Sequence, residues 1–405
     1  MLAPACPPAP RRGRHARTRR GATTKGQAMS TTGATTVDAD LDLDLKLGEQ
    51  YYKGDKELEH KAIEDLVGFI HKSIERRFRE GRGLARRDAH AGDTGCVRAI
   101  FRVDPDLDKS LRHGAFVPGR EYEAWIRFSN GSSDPQGSRW PDARGMAIKL
   151  MGVKGDKLMP DEKETQDFIL ISSPAFFVDD LERYQRTLAD FLSDSKLVQY
   201  LSVFHLRGRE FWLAIKANAK FITNPLFQQY WSMTPYRLGK VDAANKTAVK
   251  YTAKPRLQPE RRPFDGVRRL GRAVVTFFSP GFSLKTEMNN TLAKHEMWFD
   301  FYLQTFVDHD RTPIEDSKVE WKESWSPLRH VAKIVIPCQD IMSAERAQFC
   351  EDLSFSPWHG LAAHKPLGLV NRVRRRAYLA ISQLRHGLNG RPSQEPTAGS
   401  PPASA

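Results

Sequence analysis

The sequence predicts an α+β fold: an antiparallel β-sheet, closed or strongly curved, with helices near both ends of the folded region. Three observations carry this. Short runs of strand character at 97–103, 123–131, 142–150 and 167–171 follow one another through turns, several of them alternating apolar and polar residues. Apolar residues recur at helical spacing from Leu58 to Phe78. A second long stretch, which Pro366 can open and Gly387 can close, reads as a helix of good helix formers. Residues 46–388 are read as a single domain, between disordered tails at 1–45 and 389–405.

The first tail is Pro, Ala, Arg, Gly and Thr without an apolar period, so it cannot bury enough surface to offset its ordering entropy. It has no apolar segment of the secretory kind. Met29-Ser30-Thr31 reads as an ordinary start, with the upstream part an extension of the reading frame. The last residues are rich in Pro, Ser, Ala and Gly.

Net charge is +14, from 63 Lys+Arg against 49 Asp+Glu. Such an excess attracts nucleic acid or a membrane, or reflects a pocket for an anionic group. No basic stripe interleaved with aromatics and no zinc or helix-turn-helix pattern occurs, so no specific nucleic-acid partner is expected. No apolar run approaches the ~20 residues of a membrane span. Cys6, Cys96, Cys338 and Cys350 show neither close pairing nor metal spacing, which fits a reducing, cytoplasmic setting.

The helix at 58–78 places Leu58, Ala62, Ile63, Leu66, Val67, Ile70, Ile74 and Phe78 on its apolar side, and Gly81 and Gly83 stop it. Next, a glycine-rich loop holds His90 at the entrance of an alternating strand, apolar at 97, 99, 101 and 103. A histidine there can serve as general acid and base, or merely cap backbone. In the strand 123–131, Trp125, Arg127 and Ser129 point one way, Ile126 and Phe128 the other. An arginine among residues facing a core needs an anion, from a ligand or from protein. A period-two strand at 142–150 follows, then an apolar run, 167–171, into Ser172-Ser173-Pro174 and the aromatics Phe176 and Phe177.

The middle, 181–285, reads as helical and then mixed, with an aromatic loop at 231–237 and a strand near 247–252. Residues 298–306 and 330–337 read as the last strands, and 355–360 as a rigid turn. In the closing helix Arg374 and Tyr378 lie four apart and share a face. Arg385, eleven residues beyond Arg374, returns to that face after about three turns. A guanidinium against a phenol oxygen favours the phenolate. A phenolate is a hard ligand suited to Fe(III), and tyrosine is one of the few axial ligands proteins give to haem. A solvated basic helix is the plainer alternative.

Taken together, these pieces resemble one family, the haem catalases. Arg87-x-x-His90 resembles its distal histidine motif. Trp125-Ile-Arg127-Phe-Ser129 looks like its Arg-Phe-Ser strand, and Arg144-Gly-Met-Ala-Ile-Lys149 its Arg-Gly-Phe-Ala-Val-Lys strand. Pro174-Ala-Phe176-Phe177, the Trp298–Gln304 strand, Phe355-x-Pro357 and Arg374-x-x-x-Tyr378 follow in the family's order. The likeness is greatest to the short, catalase-related subfamily that includes allene oxide synthases.

The resemblance implies an antiparallel β-barrel of about eight strands wrapped by helices, with haem b at its edge. It implies Tyr378 as the iron ligand, Arg374 as its hydrogen-bond donor, and Arg87, Arg127 and Arg385 as holders of the propionates. It makes His90 the distal acid and base, oriented by Ser129, with Phe176 lining the distal side. The substrate would be hydrogen peroxide or an organic hydroperoxide, and a homo-oligomer is compatible with the pattern. One departure stands out. The family's distal asparagine falls here on Ile171 or, shifted by one, on Ser172. Loss of an oriented donor typically costs ~10²–10³ in rate. The expected alternatives to hydrogen peroxide dismutation are therefore a fatty-acid hydroperoxide enzyme of the allene oxide synthase kind, or a haem-binding protein with little catalysis.

Overall fold

A computed structural model describes residues 43–80, 84–85, 87, 93–131, 142–176, 178, 180–191, 222–240, 247–256 and 282–400. The strands are β1 (Asp93–Val103), β2 (Glu121–Asn130), β3 (Arg144–Met151), β4 (Thr165–Ile171), β5 (Tyr230–Trp231), β6 (Tyr236–Arg237), β7 (Ala248–Pro255), β8 (Met297–Thr305) and β9 (Arg329–Ile336). They run in the order β5-β4-β3-β2-β1-β9-β8-β7-β6, all antiparallel, and β5 also pairs with β7. That pairing closes eight of them into a barrel.

The barrel interior is packed, not open. Ile126 and Phe128 point inward, with Phe101, Phe168, Tyr251 and Phe301 from other strands and Phe116 from the β1–β2 connection. These rings meet at 4.9–6.4 Å, some edge-on or tilted and others stacked, as Phe168 is on Phe101 and Phe116. His364 joins them, accepting from Ala115 N at 3.0 Å. Burial drives its pKa down to about 3, so it stays neutral there.

The helices are α1 (Lys56–Arg79), α2 (Leu181–Phe191), α3 (Leu284–Leu292), α4 (Ala344–Asp352) and α5 (Leu369–Leu388). Asp55 caps α1 by accepting from Leu58 N. The apolar side of α1, including Ile63, Leu66, Val67, Ile70 and Ile74, packs on Leu369, Val373 and Ala377 of α5. Arg372 fixes the start of α5. It is 5 % exposed and donates to Glu59 at 2.7 Å, Glu315 at 2.9 Å, Glu49 at 3.2 Å and the carbonyl of Gln50 at 2.7 Å. Gly387 does not end α5 as its type suggested; the helix runs to Leu388 and Asn389 caps it.

Residues 389–400, expected to be a disordered tail, lie against the barrel. Glu395 accepts from the amides of Lys163 and Glu164, and the carbonyl of Ser400 accepts from the Trp125 indole at 2.7 Å. Cys96 and Cys350 are free and buried. No helix among the described residues is long and apolar enough to cross a membrane.

Candidate functional site

A cleft lies between the outer face of the barrel and α5. Its first wall comes from strand register. Ser129 pairs with Gly145, and Gly145 with Ile171; Arg127 pairs with Ala147, and Ala147 with Ile169. Side chains in such cross-strand rows share one face. Gly145 and Ala147 are small, so the middle strand recedes and a slot opens beneath Ile169 and Ile171. Its second wall comes from the helix period. Arg374, Tyr378, Ile381, Ser382 and Arg385 all face the same slot. Ser354 and Phe355 close one end, and Met233 and Arg87 also contribute. The cleft holds about 840 Å³ of atom-free space, its open mouth included.

Tyr378 accepts from Arg374 Nη2 at 3.2 Å. Burial works to lower the Arg374 pKa, but Tyr378 and Tyr236 beside it prevail and hold it above its ordinary value. Arg374 is a fixed cation against a phenol.

The other end of the slot is strongly basic. Arg87 Nη1 lies 3.0 Å from Glu351 Oε2, and Arg385 Nη1 lies 3.3 Å from Glu351 Oε1. Both guanidinium groups also reach the carbonyl of Leu353, at 2.6 and 3.4 Å. Two arginines thus share one carboxylate, and Arg127 adds a third charge nearby. Burial, and then repulsion from Arg87 and Arg127 against the pull of Glu351, lowers the Arg385 pKa to about 9. Arg385 Nε is buried with no hydrogen-bond partner among the described residues. This end is short of negative charge.

The structure therefore brings together Arg87, Arg127, Ser129, Arg374, Tyr378 and Arg385. His90 lies outside the described residues. Ser172 is not on the cleft: it is fully buried, and its Oγ accepts from Arg144 N at 2.9 Å. The strand alternation gives the cleft position to Ile171, which corrects the expectation of a serine donor there. Phe176 is not among the lining residues either; its ring packs 5.8 Å from Tyr184. Sequence reasoning missed Glu351, and also Ile381 and Ser382, whose offsets of three and four from Tyr378 on a helix could have found them.

The donor set fits haem. A phenol oxygen at one position, apolar walls of Ile169, Ile171 and Ile381, and a cluster of three arginines, two of them sharing one carboxylate, at one end suit a flat, largely apolar dianion carrying a hard metal.

No protein-family model matches the sequence, and no curated protein matches it. Solved structures do. A fungal catalase superposes with a TM-score of 0.54 at 16% identity, over 77% of this chain and 62% of the other. Catalase A from Saccharomyces cerevisiae gives 0.52 at 17%, over 78% and 65%. A bacterial catalase gives 0.51 at 16%, over 80% and 63%. The chain thus spans less than two thirds of the length of each. The fold is catalase-like.

Proposed function

We propose that this chain is a haem-dependent oxidoreductase acting on hydrogen peroxide or an organic hydroperoxide. The observation that carries it is the slot that sets the Arg374–Tyr378 pair at one position and the cluster of Arg87, Arg127 and Arg385 at the other. In this reading Tyr378 would supply an oxygen ligand to the iron, and Arg87, Arg127 and Arg385 would hold the propionates. Bound haem would supply a ferric centre able to take oxidising equivalents from a peroxide.

The remaining parts belong to the chain. Arg374 holds a positive charge 3.2 Å from the Tyr378 oxygen. His90 would carry the proton from the near peroxide oxygen to the far one, so that water, or the alcohol of an organic hydroperoxide, can leave. Ser129, on the cleft face of β2, orients that imidazole. Ile171 gives the wall no donor, which favours a bulkier, more apolar hydroperoxide, as in the short catalase-related subfamily. The same isoleucine supports a second reading, a haem-binding protein with little catalysis.

The test is an absorption spectrum of the full chain loaded with haem. A high-spin ferric tyrosinate spectrum is expected, and its loss in Tyr378→Phe. A histidine-type spectrum, or no haem uptake, would refute the proposal. Peroxide consumption compared between wild type and His90→Ala then separates the two readings: equal, negligible rates favour the second.

A further inference from the structure

Behind the Arg374–Tyr378 pair lies a second layer that is neutral and unusually constrained. It centres on the turn between β5 and β6. Met233 there has φ 59°, in the left-handed region that non-glycine residues avoid. Thr234 N donates back to Ser232 O at 2.7 Å, closing a three-residue turn of the rare, strained kind. The turn is held in this form from both sides. Ser232 Oγ donates to Thr234 O at 2.9 Å and accepts from Tyr251 N at 3.0 Å, which fixes it to β7. Asn371 Nδ2 donates to Pro235 O at 3.0 Å and to Leu367 O at 2.9 Å, which fixes it to α5. The Asn371 carbonyl in turn accepts from the Trp358 indole at 2.7 Å. Strain kept in place by this many bonds is a mark of a working site.

The held turn presents a hydroxyl to Arg374. Thr234 Oγ1 donates to Asn371 Oδ1 at 3.1 Å. Arg374 Nη1 then lies 3.5 Å from Thr234 Oγ1 and 3.4 Å from Asn371 Oδ1, while its Nη2 faces Tyr378. Both oxygens are buried and uncharged: Thr234 is 1 % exposed and Asn371 fully buried. Among the described residues no carboxylate pairs with Arg374. A carboxylate at that point would bind one edge of the guanidinium and cancel its charge. A hydroxyl and an amide oxygen orient the group and leave the charge in force.

We infer that Thr234 and Asn371 are positioning residues: they aim the Arg374 guanidinium at the Tyr378 oxygen without neutralising it. Neither touches the cleft; both act through Arg374. The inference goes beyond the haem reading, and only one of its two measurements rests on that reading.

The variants are Thr234→Val, which keeps the shape and removes the hydroxyl, and Thr234→Ser, which restores it. Each is made in the wild-type and in the Arg374→Leu background. On the full chain loaded with haem, Thr234→Val should speed haem release about tenfold, the equivalent of one hydrogen bond to a charged group, and displace the tyrosinate absorption. Thr234→Ser should recover both. In the Arg374→Leu background the same change should alter release less than twofold. An unchanged spectrum and release rate in Thr234→Val, or an equal factor in both backgrounds, would overturn the inference.

On the haem-free full chain, the thermal midpoints of the four proteins form a double-mutant cycle. Non-additive shifts are expected between residues 234 and 374, and additive shifts would overturn the inference. If the chain takes up no haem, the proposed function fails, and this cycle alone decides the role of Thr234.

Discussion

A buried charge cluster behind Phe355 should make the protein lose stability as pH rises above neutrality. His359 is 3 % exposed. Its Nε2 lies 2.9 Å from Asp161 Oδ2, and its Nδ1 lies 3.3 Å from both Glu162 Oε2 and Asp167 Oδ2. Lys149 Nζ contacts the same Glu162 and lies 2.8 Å from Asp167 Oδ1. Burial works to lower the His359 pKa and Lys149 adds to that. Glu162, Asp161 and Asp167 prevail and carry it up to about 9. A histidine raised on folding stabilises the protein fully below its unfolded pKa of about 6.5, and that contribution is gone above its folded pKa. The gap is worth roughly 3 kcal/mol between pH 6 and pH 9.5, at about 1.4 kcal/mol per unit. The assay is a series of denaturant midpoints across that range for wild type and His359→Gln. Wild type should lose roughly 3 kcal/mol more than the variant over this range. Parallel pH curves would refute the reasoning. The cluster also supports the cleft: Ser356 N donates to Asp167 Oδ2 at 2.9 Å, and Lys149 lies over the Phe355 ring. Ligand release should therefore quicken over the same range.

Three further outcomes are expected. Ile171→Asn puts a donor on the cleft wall and should raise hydrogen peroxide turnover relative to an organic hydroperoxide, by up to ~10²-fold; an unchanged ratio from a peroxide panel counts against the assigned distal wall. Lys250 is 4 % exposed, donates to Val319 O, and is held down to about 7 by burial against the pull of Asp316 and Glu320. Its charge is a cost below that pH, relieved as pH rises toward 10, so Lys250→Met should stabilise by roughly 1–4 kcal/mol near pH 7 and by less at pH 10 in denaturant titrations. Gly368, at the N-terminus of α5, has φ +84°, and a Cβ there would lie 2.7 Å from Ile314 O; Gly368→Ala should cost at least about 1 kcal/mol, read from the same midpoints.

Much of this fold is legible in the sequence because its long elements keep their periods. The alternation at 97–103 sits within β1, and the helical spacing from Leu58 to Phe78 matches α1. Closure of the barrel is less legible. It depends on β5, two residues long, and Tyr230–Trp231 is too short to display any period. It reads as part of an aromatic loop until its pairing with β4 and β7 is seen. The cleft is legible where a residue type is out of place. Arg127 on a buried strand asks for an anion, and Arg374 with Tyr378 asks for a partner. Glu351 gives no such signal, because an acid on a short amphipathic helix looks like any solvated acid. The choice between Ile171 and Ser172 turned on strand parity, which motif matching alone leaves open by one residue.

The Tyr378 hydroxyl sits on a helix that follows every described strand, whereas Arg127 and Ser129 lie on β2. The two sides of the cleft meet across about 250 residues of sequence, so it cannot exist on a partly made polypeptide. During synthesis the barrel can form while the slot stands open on one side, with Arg127 facing water. If the chain takes up haem as proposed, its capture would be a late event, gated by the docking of one helix. Weakening the Arg372 anchor that seats this helix should slow acquisition of the cofactor before it alters the barrel itself.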